Sequence, residues 1–432
     1  MDKKILRLTL VIAVSLFWGT AFTGCSDEED TPAAYQLKKE DIRVSQPEGG
    51  FAVVIDQLLK VQVESESDEG ISYVWLLDGT EIAQTKSLEY MFEEVGEYEL
   101  TLRVSQGESR FDYPFTVTVT FENIEPAPVT KVFDFVPAVG QFTNTLPVYK
   151  EGDTQEAMNE KVLAAIGNNK KGMISLGGFG GYVVVGFDHT ITNVTGKRDF
   201  RVLGNAFYSA ANPDSDAPEG GSCEPGVIMV AYDKNQNGRP DDDEWYEIAG
   251  SAHEDATLEL WYDKAVAAGN DVKTYRNYEI TYYRPEKEPT TAEEREMYIR
   301  WEDNQGKSGY KVKNTFHNQC YYPEWIKEDK VTFKGTCLPQ NAVDESGQGS
   351  YFVLYKFRYG YADNELNSKD ESAIDIDWAV NSKGQKVHLP GVDFIKIYTG
   401  VNQENGWLGE CSTEISGVED LHVLGVDIDT RK

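Results

Sequence analysis

Histidine and cysteine are scarce in this chain, and basic residues are outnumbered. Its 432 residues include five of each, and 41 lysines and arginines stand against 73 aspartates and glutamates, for a net charge of -32. That balance excludes nucleic acid and anionic membrane surfaces as partners, because both carry the same sign of charge. The histidines, His189, His253, His317, His388 and His422, are scattered, and neither HExxH nor GxSxG occurs. Metalloprotease and serine-hydrolase signatures are therefore missing. No CxxC supports redox chemistry, and the chain is expected not to be an enzyme. No run of 18 apolar residues follows position 24, so no later helix is predicted to span a bilayer. The 40% hydrophobic and 12% aromatic content excludes global disorder.

The N-terminus has the layout of an export signal. Lys3, Lys4 and Arg7 precede a short apolar stretch, Leu8 to Trp18, and then Phe22-Thr23-Gly24-Cys25. This ending resembles a bacterial lipobox, with Phe22 where leucine is usual. The resemblance implies a signal peptide over 1–24, acylation at Cys25 and a polar tether over 25–34. The acidic run Asp27-Glu28-Glu29-Asp30 resembles the surface-export signal of Bacteroidetes lipoproteins, which implies a lipid-anchored place on the outer membrane, facing outward. Removing the leader makes the chain more acidic, since Lys3, Lys4 and Arg7 outnumber Asp2. Cys223, Cys320, Cys337 and Cys411 remain; they allow three pairings or none. Cys320 and Cys337 are the expected pair by proximity, with buried free thiols as the alternative.

The fold class predicted is all-β, in two units. Residues 35–122 carry alternating segments such as Glu97–Val104 and Phe115–Val119, the pattern of half-buried strands. Trp75, the turn Asp78-Gly79 and Gly96-Glu97-Tyr98 make this unit resemble a PKD or immunoglobulin-like sandwich. Glu125-Pro126-Ala127-Pro128 reads as a stiff linker within 123–129. Residues 130–432 read as a larger, jelly-roll-like β-sandwich with one short helix. That helix has a capping box opening at Asp153-Thr154, an apolar face of Met158, Val162 and Ile166, and a stop at Gly167. Two similar hairpins, from Tyr182 to Gly204 and from Ala373 to Ile397, place first and last strands side by side. Gly177 to Gly181 is read as a tight turn, because a strand follows it where a phosphate cradle needs a helix.

The most specific motif is Asp233-Lys234-Asn235-Gln236-Asn237-Gly238-Arg239-Pro240-Asp241-Asp242-Asp243-Glu244, which fits D-x-[DN]-x-[DN]-G-x₅-E. A hard cation takes six to eight oxygens, and alternate residues of a tight loop present them inward. Asp233, Asn235 and Asn237 are the first predicted ligands, Arg239 offers its carbonyl, Asp241 binds directly or through water, and Glu244 closes the site. The flanks read as strands, so this resembles an EF-hand calcium loop set in a β hairpin, and the calcium is expected to be structural.

Aromatic residues beside glycine or proline form a second signal: Tyr321-Tyr322-Pro323-Glu324-Trp325, Tyr359-Gly360-Tyr361 and Asn405-Gly406-Trp407. Rings on surface loops make platforms for ring-shaped ligands. Segments including Gly180–Asp188, Asp199–Phe207, Glu224–Val230, Asp243–Ser251, Tyr278–Tyr283, Ile376–Val380 and Val392–Tyr398 resemble a family of bacterial cell-surface proteins encoded beside cobalamin-uptake systems, and among gut Bacteroidetes the BtuH-type lipoproteins. The resemblance implies capture of cobalamin or a related corrinoid and its transfer to an outer-membrane transporter. A corrin needs flat aromatic surface and neutral hydrogen-bonding groups, for which Tyr321, Tyr322, Trp325, Tyr361, Trp407 and Asn402 are the candidates. A glycan-binding surface lipoprotein is the alternative on the same aromatic loops. A surface hydrolase has only the abundance of carboxylates in its favour.

Overall fold

A computed structural model describes residues 35–430 apart from 48–49, 55–56, 93–95, 121–128, 168–171 and 210–217. The signal peptide, Cys25, the tether and all but the end of the linker lie outside the described residues. Among the described residues no helix is long and apolar enough to cross a membrane.

In the N-terminal unit, alternate residues of the strand Gly96–Gln106 are apolar from Tyr98 to Val104, and Leu100, Leu102 and Val104 are buried. This strand is the centre of a five-stranded sheet. It pairs with Ser109–Thr120 on one side and Ser72–Leu77 on the other, with Phe51–Val54 and Thr80–Ala83 at the edges. Trp75 fills the core and donates from Nε1 to the Thr85 carbonyl at 3.0 Å. Asp78 and Gly79 both take positive φ, at 46° and 80°, which two-residue hairpin turns require.

The larger unit is built around a six-stranded antiparallel sheet in the order Lys131–Val136, Tyr182–Thr192, Gly391–Thr399, Gly226–Ala231, Trp245–Ile248, Ala379–Val380. The two related hairpins pair with each other: Phe200–Leu203 with Ala373–Ile374 in a separate three-stranded sheet, and Tyr182–Thr192 with Gly391–Thr399 in the six-stranded sheet. Both faces of this sheet are covered. Ile395 and Ile397 face a core that includes Met158, Val162 and Ile166 of the helix Gln155–Ile166. Phe179 and Tyr398 face a second core, rich in tyrosine, under the sheet Ser308–Lys311, Ile299–Asp303, Tyr275–Tyr283, Lys330–Cys337. Burial on two sides is why these strands are apolar almost throughout. The Gly177–Gly181 segment is a tight turn between them. A Cβ at Gly180 would lie 2.2 Å from the Cβ of Phe333, and its φ is +87°.

Several expectations are corrected in detail. The helix cap is Thr154, whose hydroxyl accepts from Ala157 N at 3.3 Å, while Asp153 pairs with Lys161. The predicted strand through Trp378 ends at Ile374; the Asp375 side chain accepts from Asp377 N at 2.8 Å and turns Ile376–Trp378 into a 3₁₀ helix. Short helices at Ser251–Asp255, Tyr262–Ala268 and Ala292–Glu296 carry too few turns to show an apolar period. Cys320 and Cys337 are not bonded; Cys223, Cys320, Cys337 and Cys411 are all free thiols, because each sits in a different packed segment. Between the units, Lys60 Nζ lies 3.3 Å from Asp393 Oδ2 and 3.8 Å from the Tyr232 ring centroid, and the Tyr232 hydroxyl donates to Glu89.

Trp325 is part of this interior, stacked on Phe135 at 5.9 Å and Tyr149 at 6.1 Å. Trp325→Ala is therefore expected to cost about 3–5 kcal/mol in denaturant unfolding of the larger unit. A loss under about 1 kcal/mol would place the ring at the surface instead.

Candidate functional site

Four of the predicted ligand-binding rings are core residues. Tyr321, Tyr322, Trp325 and Tyr361 are all buried. Their polar ends are satisfied internally: the Tyr322 hydroxyl donates to the Glu328 carbonyl at 2.9 Å, and Trp325 Nε1 donates to Gln155 Oε1 at 3.1 Å. The Tyr361 hydroxyl accepts from Ala252 N at 3.1 Å and contacts His253 Nδ1 at 2.9 Å, and its ring lies so close that a Cβ at Gly250 would meet it at 2.4 Å. These loops are not surface excursions: Tyr321, Tyr322 and Tyr361 fill the second core, and Trp325 belongs to the first. Asn402 is elsewhere again. It donates to the Tyr278 hydroxyl at 3.0 Å and accepts from Lys311 Nζ at 3.3 Å, in a separate small cleft beside Asp271.

Trp407 alone stands out. It is 50% exposed, on the 3₁₀ turn Gly406–Leu408, and its Nε1 donates to the Ser350 carbonyl at 3.2 Å. Gly406 makes this perch: its φ is +60°, and a Cβ there would be 2.8 Å from the Phe352 ring. Phe316, 70% exposed, meets Trp407 edge to face with centroids 6.4 Å apart. The pair borders a cleft of about 440 Å³, within the usual range of ~300–1,000 Å³ for small-molecule sites. Gln141, Phe142, His317, Leu354 and Asn405 are among its lining residues. Neither lysine nor arginine lines it. Phe316 had no sequence signal, since a lone phenylalanine in a polar stretch carries none.

The cleft floor is acidic. Glu224, Glu410 and Glu414 line it, and Asp363 lies directly behind. Oxygens of Glu224, Asp363 and Glu414 all lie within 4.8 Å of one another. Burial and then the neighbouring Glu224 carboxylate push Asp363 and Glu414 well above the ordinary carboxyl range. Burial raises Glu224 to about 7. Glu410 accepts from Gln141 N at 2.7 Å and is raised to about 8, by burial first and then by Glu404; Lys311, paired with Glu404 at 2.6 Å, opposes the shift. These carboxyls come from chain positions far apart, so sequence spacing could not have brought them together.

The loop Asp233–Glu244 is a tight reversal held by hydrogen bonds among its own residues. Gln236 and Gly238 reverse the chain with φ of 56° and 72°. Asp233 accepts from Asn237 N at 3.1 Å and Gly238 N at 2.8 Å; Asn235 accepts from Asn237 N at 3.0 Å and Asn237 from Arg239 N at 2.8 Å. Glu244 closes the loop on Lys234 N at 2.9 Å and Asp241 N at 3.2 Å. Asp241 accepts from the amides of Asn235 and Asn237. Asp233 and Glu244 are buried acceptors, and among the described residues neither forms an ion pair. That donor set fits calcium, with Asp233, Asn235, Asn237, Asp241 and Glu244 as side-chain ligands and Arg239 through its carbonyl. The flanking strands Gly226–Ala231 and Trp245–Ile248 pair antiparallel, so the loop is the tip of a hairpin.

Glu410 also sets a pH dependence. Its native pKa of about 8 lies above the ordinary 4.5. The native state thus binds its proton more tightly, and stability falls as pH rises through the window between those values. The melting temperature of the chelated protein is expected to drop from pH 5 to 8, and Glu410→Gln to reduce that slope. An unchanged slope in the variant would assign the dependence to other groups.

Residues 41–106 match the PKD-like domain family. No curated protein matches the chain. Among solved structures it is similar to a quinonprotein alcohol dehydrogenase-like protein from Bacteroides thetaiotaomicron, at 14% identity over 20% of this chain and 21% of that one, with a TM-score of 0.16. It is also similar to SGBP-B of the Bacteroides ovatus mixed-linkage glucan utilization locus, solved with a mixed-linkage heptasaccharide, at 12% identity over 40% and 37% of the two chains and a TM-score of 0.16. A SusE-like protein matches at 9% identity over 90% and 99%, with a TM-score of 0.20. The chain thus spans about a fifth and just over a third of the first two relatives, and none of the three superposes closely enough to define a shared architecture.

Proposed function

We propose that the chain is a cell-surface lipoprotein, anchored through Cys25, whose larger unit captures an uncharged ring-bearing ligand, and that this ligand is a carbohydrate. The observation that carries the reading is the exposed pair Trp407 and Phe316 above a cleft floored by carboxyls and without lysine or arginine. An indole face packs against the C–H face of a sugar ring, and carboxyl oxygens accept from its hydroxyls. With neither lysine nor arginine in its lining, the cleft offers an anionic ligand no charged partner. The protein binds without turnover, and the PKD-like unit acts as a spacer between membrane and cleft.

Cobalamin is the second reading. It rests on the phrase resemblance across residues 130–432 and on the breadth of apolar surface that Trp407 and Phe316 expose. A cleft of about 440 Å³ takes a short stretch of sugar, whereas a corrin would lie across the mouth. A cobalamin carrier would pass its cargo to an outer-membrane transporter.

Calorimetry with a panel of oligosaccharides and with cyanocobalamin separates the two, and release of any shorter glycan product would establish a hydrolase. Trp407→Ala is expected to weaken the bound ligand at least tenfold, about 1.4 kcal/mol, with the melting temperature unchanged. Full affinity in a folded variant would remove Trp407 from the site.

Calcium is part of this reading, held at the loop Asp233–Glu244 as a structural ion. Binding to the folded form alone raises stability, so chelation is expected to lower the melting temperature by a few degrees and Asp233→Ala to reproduce that loss. Melting that ignores both calcium and chelator would rule the ion out.

A further inference from the structure

The strand Leu58–Val61 of the N-terminal unit serves two cores. Leu59 and Val61 are buried in that unit's own interior, and strand alternation turns Leu58 and Lys60 the other way. Leu58 packs against the core of the larger unit. Lys60 and its cross-strand partner Glu89 reach the same surface. Lys60 Nζ lies 3.3 Å from Asp393 Oδ2 and 3.8 Å from the centroid of the Tyr232 ring, and the Tyr232 hydroxyl donates to Glu89. The Lys60 and Asp393 side chains are each only 15% exposed, so salt screens this pair less than it would a surface pair.

These contacts converge on the first residue of the loop Asp233–Glu244. Tyr232 precedes Asp233 in the chain, and Asp393 Oδ2 accepts from Asp233 N at 2.7 Å. The Thr190 hydroxyl holds the other oxygen, Asp393 Oδ1, at 2.5 Å. The main chain of Asp233 is thus fixed by two residues, Tyr232 and Asp393, that the N-terminal unit grips. Its carboxylate faces the loop instead, accepting from Asn237 N and Gly238 N. Docking of one unit and placement of a loop oxygen therefore share a residue.

The joint also has a direction. Ala231 pairs with Phe394 and Gly226 with Thr399, so Tyr232 and Asp393 lie at one end of these two strands. The cleft lies at the other end, where Glu224 lines it and Thr413 N donates to the Thr399 hydroxyl at 3.3 Å. The six residues of Gly226–Ala231 that separate the two ends span about 20 Å. A unit docked at Asp393 leaves the cleft mouth clear and sets the direction in which it opens.

We propose that calcium in the loop Asp233–Glu244 and docking of the PKD-like unit stabilise each other through Asp233, so that the ion fixes the orientation in which the larger unit presents its cleft. The proposal rests on the calcium reading above and holds whether the cleft takes a carbohydrate or cobalamin. Coupling of this kind is reciprocal. A docked unit orders Asp233 in advance and tightens the ion; the ion, by fixing Asp233, tightens the dock.

The test reads both directions in the full chain with calcium as the only ligand. In the first arm, calcium is titrated calorimetrically into wild type and into the double variant Lys60→Met, Glu89→Gln. Both substitutions lie in the N-terminal unit and together leave the net charge unchanged, so the long-range field on the loop stays the same. The variant is expected to bind calcium at least threefold more weakly, and equal affinity would overturn the coupling. In the second arm, the rate at which acetic anhydride labels Lys60 is followed by peptide mass spectrometry. Chelator is expected to raise that rate at least threefold in wild type, and Asp233→Ala to label at the chelated rate even with calcium present. Calcium binding that leaves Lys60 labelling unchanged would overturn the proposal while keeping the loop ion. A wild type that binds no calcium would instead remove the ion and the coupling together. If the double variant fails to fold by near-ultraviolet circular dichroism, Lys60→Met alone takes its place. Loss of a cation beside the loop would by charge alone strengthen calcium binding, so weaker binding there supports the coupling, and unchanged or stronger binding overturns it.

Discussion

The larger unit depends on a sheet that has no face to give to water. The strand Gly391–Thr399 is apolar on both sides, and its neighbours Tyr182–Thr192 and Gly226–Ala231 are nearly so. Such a sheet exposes its hydrophobic area unless another layer covers each side. On one side the helix Gln155–Ile166 and aliphatic side chains do this. On the other the covering layer is a second sheet and the loops beside it, and the gap is filled by large rings. Tyr282, Tyr322, Tyr355 and Tyr398 supply much of that volume, with Trp261, Phe179 and Phe357 beside them.

That constraint explains what the sequence could and could not say. Patterns governed by local chemistry were legible. The reversal in Asp233–Glu244 follows from its glycine and short polar residues, the helix Gln155–Ile166 from its four-residue apolar spacing, and the strands of the N-terminal unit from clean alternation, while its PKD-like character was carried by Trp75, Asp78-Gly79 and Gly96-Glu97-Tyr98. The aromatic loops misled because a glycine or proline beside a ring marks a turn but says nothing about what lies over it. Tyr321 and Tyr361 sit in turns that happen to pass through the interior. Trp407 has the same local signature and the opposite fate, decided by Phe352 behind Gly406 and by Phe316 in front. The carboxyl cluster was invisible for a different reason. Glu224, Asp363 and Glu414 are three among 73 acidic residues, and only the closing of the sandwich selects them.

The division of labour inside the larger unit follows the same geometry. Positions beside the central sheet are rigid, and the cleft borrows that rigidity for its floor through Ser412, Thr413 and Glu414, which hydrogen-bond to Ser175, Thr399 and Asp363. The rim is different. Trp407 and Phe316 are half or more exposed and border the mouth of the cleft. A fixed polar base under an exposed apolar lip is an arrangement suited to orienting a ligand by its hydrogen-bonding groups and holding it by area.

The free thiols have a consequence for how the chain reaches its final state. Cys223, Cys337 and Cys411 are buried, and burial drives each far from the thiolate form that attacks disulfides. Exchange chemistry is therefore closed to them once the interior has formed, and open before. In an oxidising compartment, an unfolded chain would expose Cys223, Cys320, Cys337 and Cys411 to exchange before the interior has packed. Maturation becomes a race between packing and oxidation, in which the interior protects Cys223, Cys337 and Cys411 by burying them.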